Sequence, residues 1–318
     1  MRTDEVTFVF GGVRLAGTIF LPDSEGPYPA VVIVHGSGAV DRYGAEGTLR
    51  PVIHHFAASG YAVMAYDKPG VGNSDGDWLR QTFSDRASET LTAVRILADR
   101  PDIDANRVGL WGISQGGWTA PMTAVLAPGE IGFAILVSAS AMTPCQQYLH
   151  QLDVELNRDG FTATQIAQAK NLTKQRTAAL AGGVPGSEIL AAEPPSLAAE
   201  PWYQYCATDA EELDFVRPIW QFDVSPFLRR VSCPLLALWG AQDVHMPAQR
   251  CAAAFAVDLA EAGHQDFRLQ VFPHANHRLG DTRAGAAPDT LATGYLDDMT
   301  RWLSNRVGSA RAAAVPPA

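Results

Sequence analysis

Three residue types that cooperate in nucleophilic chemistry occur in the order serine, aspartate, histidine, each just after an apolar run. Ser114 sits in Gly112-Ile113-Ser114-Gln115-Gly116, Asp243 in Gly240-Ala241-Gln242-Asp243, and His277 in Pro273-His274-Ala275-Asn276-His277. A serine hydroxyl is a poor nucleophile at neutral pH. A histidine can take its proton and pass it on to a leaving group. A carboxylate can fix the imidazole tautomer and stabilise the imidazolium. Gly-x-Ser-x-Gly alone is a weak signal, since both residues are common in loops. Here an apolar run (residues 108–111) precedes it and a helix-compatible run (119–126) follows. Strand, sharp turn, helix is the order of a nucleophile elbow, which strains the serine backbone. Gly112 and Gly116 then spare the elbow collisions with the neighbouring strand and helix. The Gln115 N–H is left free to donate to an oxyanion.

Other assignments compete. His274 lies three residues before His277, directly after Pro273 at a strand end, where packing is expected to claim it. His245, two residues after Asp243, is expected near a pocket rim. His277 is preferred because the turn after the last strand has room to lean over the elbow. Asp243 is favoured as the acid because the strand at 133–137 ends in Ser138-Ala139-Ser140, without a carboxylate. A second oxyanion donor is expected in His35-Gly36-Ser37-Gly38, at the Ser37 N–H, with Gly38 beside the substrate. His35 reads as a structural histidine hydrogen-bonded to a loop.

These residues need a scaffold that brings distant strand ends together. Residues 6–10 and 13–20 read as a hairpin turning at Gly11-Gly12. Runs at 30–34, 61–66, 133–137, 235–239 and 268–272 read as buried strands. Helical patterns at 49–59, 84–100, 247–263 and 290–305 alternate with them, Ser84 being a plausible cap. This alternation predicts a mostly parallel α/β sheet with helices on both faces. In such sheets ligands bind outside the carboxyl ends of the strands, where Ser114, Asp243 and His277 all fall. The loop Asp67-Lys68-Pro69-Gly70-Val71-Gly72-Asn73-Ser74 has neither a Walker A ending nor Gly-x-Gly-x-x-Gly. Asp67 and Lys68 are expected to lock it by ion pairs and hydrogen bonds.

The alternation stops near residue 141 and resumes near 233. Residues 144–160 and 162–182 read as helices, 185–201 as a loose linker, and 202–227 as an aromatic-rich stretch. The expected organisation is a core of residues 1–140 and 231–306, an inserted helical cap at 141–230, and a disordered tail at 307–318. Trp202, Tyr203 and Trp220 in the cap either line a substrate cavity or glue the cap to the core, and Trp118 and His245 from the core are expected to contact substrate.

Among 318 residues, 47% are hydrophobic and 18% charged, as in an ordinary globular enzyme. A net charge of -10 argues against nucleic acid and anionic membrane surfaces as partners. No apolar run is long enough to span a bilayer, and no secretory signal is evident at the N-terminus. Cys145, Cys206, Cys233 and Cys251 are scattered without CxxC pairing. A cytoplasmic location with reduced cysteines is expected, and a homodimer is compatible with all of this.

The elbow Gly112-Ile113-Ser114-Gln115-Gly116-Gly117, the His35–Gly38 segment, the 67–74 loop, and the Gly240…Asp243…Pro247 and His277 positions together resemble the α/β-hydrolase superfamily. The resemblance covers residues 5–140 and 231–306. Gln-Gly-Gly-Trp after the serine, and Asp41-Arg42, resemble bacterial acyl-esterase and dienelactone-hydrolase-like groups. Dienelactone hydrolases carry cysteine at the nucleophile and dehalogenases aspartate, whereas this chain has Ser114. Prolyl-oligopeptidase relatives usually carry a propeller ahead of the hydrolase domain; none precedes residue 5, which lowers the peptidase expectation. The resemblance implies an α/β-hydrolase fold and a serine esterase without metal or cofactor, acting on a small ester or acyl substrate. Thioester, amide and carbon–carbon bond hydrolysis are alternatives with the same three residues, and a non-catalytic small-molecule receptor is another.

Overall fold

The computed structural model describes residues 1–287 and 289–306; the tail expected at 307–318 lies outside the described residues. The chain opens with β1 (Arg2–Phe10) and β2 (Val13–Leu21), a hairpin turning at Gly11-Gly12 with Phe10 paired to Val13. Then come β3 (Tyr28–Val34), α1 (Arg50–Ala58), β4 (Ala62–Tyr66), α2 (Phe83–Ala98) and β5 (Ile103–Ile113). These are followed by α3 (Gly116–Leu126) and β6 (Ala134–Val137). Five helices intervene: α4 (Pro144–Arg158), α5 (Ala163–Ala181), α6 (Gly186–Ala191), α7 (Ala210–Val216) and α8 (Ser225–Leu228). The sheet resumes with β7 (Leu235–Gly240), then α9 (Ala248–Glu261), β8 (Phe267–Phe272) and α10 (Tyr295–Ser304).

The eight strands lie in the order β1-β2-β4-β3-β5-β6-β7-β8. β1–β2 and β2–β4 pair antiparallel, and every pair from β4 to β8 is parallel. From β3 the chain winds towards β4; from β5 it winds the other way, towards β6. The crevice outside the carboxyl ends of β3 and β5 is therefore the topological switch point. His35-Gly36-Ser37 and Ser114 both emerge there.

Apolar residues, β-branched above all in β3, leave β3, β4, β6 and β7 buried on both faces. One apolar layer packs Leu97, Trp118, Phe255 and Leu259 from α2, α3 and α9 against the sheet. The opposite layer packs Ile53, Phe56, Met299 and Trp302 from α1 and α10.

Several boundaries differ from the sequence reading. The cap of α2 is Thr82, not Ser84, because Thr82 and Asp85 satisfy each other's backbone N–H groups in a capping box. The closing helix begins at Tyr295 rather than 290. Leu291 is instead bridged to Gly280, and Gly294 at φ 83° interrupts the helical geometry ahead of Tyr295. The stretch 185–201 is not a loose linker: α6 buries Ile189 against Leu180 and Leu213, and Glu193 pairs with buried Arg176 at 2.7 Å.

Among the described residues, 141–230 contains no strand. α4 and α5 form a helical pair started by the capping boxes Thr143/Gln146 and Thr162/Gln165. The pair has its own core of Leu152, Leu156, Ile166 and Leu172 around Trp202. All four cysteines are free thiols. Among the described residues no helix is long and apolar enough to cross a membrane.

Candidate active site

β5 ends at Ile113 and α3 begins at Gly116, so Ser114 must turn within two residues. Its φ is +55°, a left-handed conformation that a β-substituted residue adopts only under constraint. The Ser114 N–H donates to the Val137 carbonyl at 2.9 Å, and its carbonyl accepts from Gly117 N at 2.8 Å. The glycines beside it are sterically required. A Cβ on Gly112 would stand 2.6 Å from the Gly116 carbonyl oxygen, and one on Gly116 would collide with the Val34 carbonyl of β3.

Asp243 follows β7, with its side chain fully buried. Oδ1 accepts from the N–H groups of His245 (2.8 Å) and Met246 (3.0 Å), and Oδ2 lies 2.7 Å from His277 Nδ1. A carboxylate oxygen only accepts, so Nδ1 carries a proton, and it is Nε2 that can present a lone pair when the ring holds one proton. The loop carrying His277 is braced internally and from β6. Asn276 Oδ1 accepts from Arg278 N and Gly280 N at 3.0 and 2.9 Å. Ser138, at the end of β6, donates from Oγ to the His277 carbonyl at 2.8 Å. His274 is exposed rather than packed, because the chain there runs along the surface between Phe272 and Ala275, both of which are buried.

Ser114 and His277 open onto one cleft of about 150 Å³. Gly36 and Ser37 form its edge, and Val40, Thr48, Leu49, Val52, Trp111, Leu291 and Tyr295 line its length. It therefore runs down the α1/α10 face of the sheet, beside β5. Among the described residues no protein acceptor takes the N–H of Ser37 or of Gln115. The Gln115 side chain, in contrast, is held: Arg86 Nη1 donates to its Oε1, while Arg86 Nη2 donates to the His35 carbonyl at 2.8 Å. Lys68 Nζ donates to the carbonyls of Gly36 (2.6 Å) and Gly38 (2.7 Å).

His35 lies behind this loop, its Nε2–H donating to the Tyr66 carbonyl at 2.7 Å. Burial lowers its pKa to about 3, so the ring is neutral. The 67–74 loop is locked mainly by Asp67, which accepts from Arg42 Nη2 (2.8 Å), Arg42 Nε (3.0 Å), Arg42 N (2.8 Å) and Asn73 N (2.9 Å). Lys68 forms no ion pair among the described residues of this loop and reaches across to the neighbouring one. Sequence reading had no handle on Arg86, Lys68 or Ser138 as contacts of the site. The one available signal was their type: two cations and a hydroxyl beside or within runs that fold into the core.

The aromatics of the helical insert do not line the cleft at Ser114. Trp202 fills the core between α4 and α5, and Tyr203 lies against Arg176 and donates to Glu193 at 2.8 Å. Trp220 borders a separate small cavity of about 40 Å³ with Tyr148 and Thr177. Trp118 is buried against Phe83 and Phe222, and its indole N–H is used by the Ser140 carbonyl at 2.9 Å. Trp202 and Trp118 thus cover apolar helix faces. Gly38 contributes its carbonyl to Lys68 and lies off the cleft wall. His245 stands edge-on to His277 with ring centroids 4.8 Å apart, where burial and the neighbouring imidazole lower its pKa.

A strained serine at a strand–helix elbow, in a mostly parallel sheet of this order, defines an α/β-hydrolase. Residues 11–261 match the model of the X-Pro dipeptidyl-peptidase (S15) family, and the chain belongs to that family. It is 22% identical over 298 residues to the esterase EstD of Thermotoga maritima, covering 91% of this chain and 65% of EstD. Over 118 residues it is 32% identical to the thiohydrolase aneE of Aspergillus aculeatus, 36% of this chain and 35% of that one. The chain thus spans less than two thirds of the length of either relative. Among solved structures, the Pyrococcus furiosus esterase Pf2001 superposes with a TM-score of 0.63 at 17% identity, covering 96% of this chain and 92% of that one.

Proposed function

We propose that this chain is a serine hydrolase that cleaves carboxylic esters through an acyl-enzyme on Ser114. The observation that carries the reading is the 2.7 Å Asp243–His277 contact at the cleft that also holds the strained Ser114. His277 Nε2 takes the Ser114 proton as Oγ adds to the ester carbonyl. The oxyanion is met by the N–H groups of Ser37 and Gln115. Collapse of the tetrahedral intermediate expels the alcohol, which leaves with the proton from His277. Water, deprotonated by His277, then releases the acid and restores Ser114. One half of the substrate lies along Val40, Leu49, Val52 and Leu291. Residues 141–230 act as a cap at the mouth, with α4 placing His150 within electrostatic reach of Asp243.

The esterase names of EstD and Pf2001 support an oxygen ester. The thiohydrolase relative supports a second reading, a thioester, and the family description brings back the peptide bond that the sequence alone made less expected. The test compares p-nitrophenyl acetate and hexanoate, the matching thioesters, and an Xaa-Pro p-nitroanilide, on wild type and Ser114→Ala. Oxygen-ester turnover that leads the other two and vanishes with Ser114 is expected. Ester hydrolysis undiminished in Ser114→Ala would overturn the mechanism. A folded protein that binds esters but never labels with a fluorophosphonate would be a receptor.

A further inference from the structure

A buried cation stands behind the loop after β3. Lys68 is 2% exposed, and among the described residues no carboxylate lies within salt-bridge distance of it. The Gly36 and Gly38 carbonyls take two of its three protons, and the Trp78 ring faces it at 5.4 Å. An unpaired ammonium is costly to bury, and burial together with Arg86 lowers the Lys68 pKa well below the usual lysine range, with Glu89 opposing. Space alone would be filled better by an apolar chain.

The geometry of the peptide unit gives the ammonium something to do. The Gly36 carbonyl and the Ser37 N–H belong to one planar peptide, in which they point in opposite directions. Drawing the oxygen onto Lys68 therefore turns the N–H away from Lys68, on the side where Ser37 borders the cleft with Ser114. The bond to Gly38 fixes the far side of Ser37, where the backbone turns at φ +85°. A short hydrogen bond to the carbonyl, 2.6 Å long, also polarises the peptide and strengthens its N–H as a donor. Arg86 braces the adjoining peptide through the His35 carbonyl.

We propose that Lys68 is a positioning residue of the oxyanion site: its ammonium aims and polarises the Gly36–Ser37 peptide so that the Ser37 N–H meets the charge that develops on a carbonyl attacked by Ser114. The inference rests on the reading of Ser37 as an oxyanion donor. Outright loss of such a donor lowers kcat by ~10²–10³-fold. Removing Lys68 leaves the donor present but unaimed, so the expected fall is smaller, about 10–100-fold.

The test uses Lys68→Met, which keeps the length without charge, and Lys68→Gln, which keeps one donor and is the easier fold. Each is followed with a p-nitrophenyl ester and with a trifluoromethyl ketone of the same acyl chain. Ser114 adds to that ketone to form an oxyanion, its proton passing to His277. Expected is a fall in kcat with KM within about threefold, matched by a similar loss of ketone affinity, and milder in the Gln variant. A folded variant that keeps wild-type kcat and ketone affinity, or that loses activity through KM alone, overturns the proposal. Ser114→Ala is run in parallel. If it stays active, the nucleophile assignment fails; if it is dead while both Lys68 variants match wild type, only the role of Lys68 fails.

Discussion

Replacing Asp243 by asparagine tests the site by changing almost nothing in shape. Oδ1 of Asp243 accepts from two backbone N–H groups, those of His245 and Met246, and Oδ2 faces His277 Nδ1. The amide introduced by Asp243→Asn has one oxygen and one NH₂ to place. Turning the NH₂ towards the two backbone donors would leave both unpaired, at about 1–3 kcal/mol each. The amide is therefore held with its oxygen on the backbone and its NH₂ on Nδ1. Nδ1 must then accept, Nε2 must carry the proton, and His277 loses the lone pair that takes the Ser114 proton. A wrong tautomer of this kind lowers kcat by roughly 10⁴-fold, equivalent to about 5.5 kcal/mol of barrier. The assay is p-nitrophenyl acetate hydrolysis together with the rate of fluorophosphonate labelling, with a thermal melt to confirm the fold. Labelling and turnover should fall together. A folded Asp243→Asn protein within tenfold of wild type would refute both the tautomer reasoning and the assignment of Asp243.

Three further outcomes are expected. Thr48→Phe, on the partly exposed wall of the cleft, should lower kcat/KM for hexanoyl esters at least about tenfold while leaving acetyl esters within about threefold, since a methylene's worth of pocket carries on the order of 1–3 kcal/mol of discrimination; equal losses on both esters would place neither half of the substrate along α1. Neutral His35 is the folded form above about pH 3, whereas the unfolded ring protonates below 6.5. Its contribution is therefore intact above pH 6.5 and is lost as the pH falls towards 3, by about 2 kcal/mol at pH 5; urea unfolding at pH 7 and 5 should show a smaller drop for His35→Gln than for wild type, and equal drops would contradict a buried neutral ring. Arg42→Met should cost about 3–5 kcal/mol in the same denaturation assay, because it strands the buried Asp67 carboxylate; a loss below about 1 kcal/mol would mean that the backbone donors to Asp67 suffice by themselves.

The fold was legible because its signals are local. Uninterrupted β-branched runs such as Val31–Val34 mark strands buried on both faces, and a Gly-Gly pair between alternating residues marks a hairpin. The positions of Ser114, Asp243 and His277 could be read from chain order plus one rule of open sheets: a residue just past a strand lies at the ligand end. The errors were also local in origin. Thr82 and Ser84 are equally good cap residues by type, and only the reciprocal bond to Asp85 separates them. Residues 290–294 fit a helical pattern, yet the bridge from Leu291 to Gly280, a non-local contact, pulls them out of it.

The aromatics of the insert show why composition could not locate the substrate. Clustered tryptophan and tyrosine signal a large buried apolar area, and a helical pair needs that area for its own core as much as a ligand would. The cleft instead follows β5, where Trp111 and Ile113 point to the α1/α10 face and Ser114 stands at the strand end. Alternation along the strand decides this. Residues 111 and 113 share a face and 110 and 112 take the other, where Gly112 admits the close approach of α3. The same strand thus gives one face to the elbow helix and leaves the other open beneath the nucleophile. Selectivity for one half of the substrate should accordingly follow substitutions in α1 and the 44–48 turn.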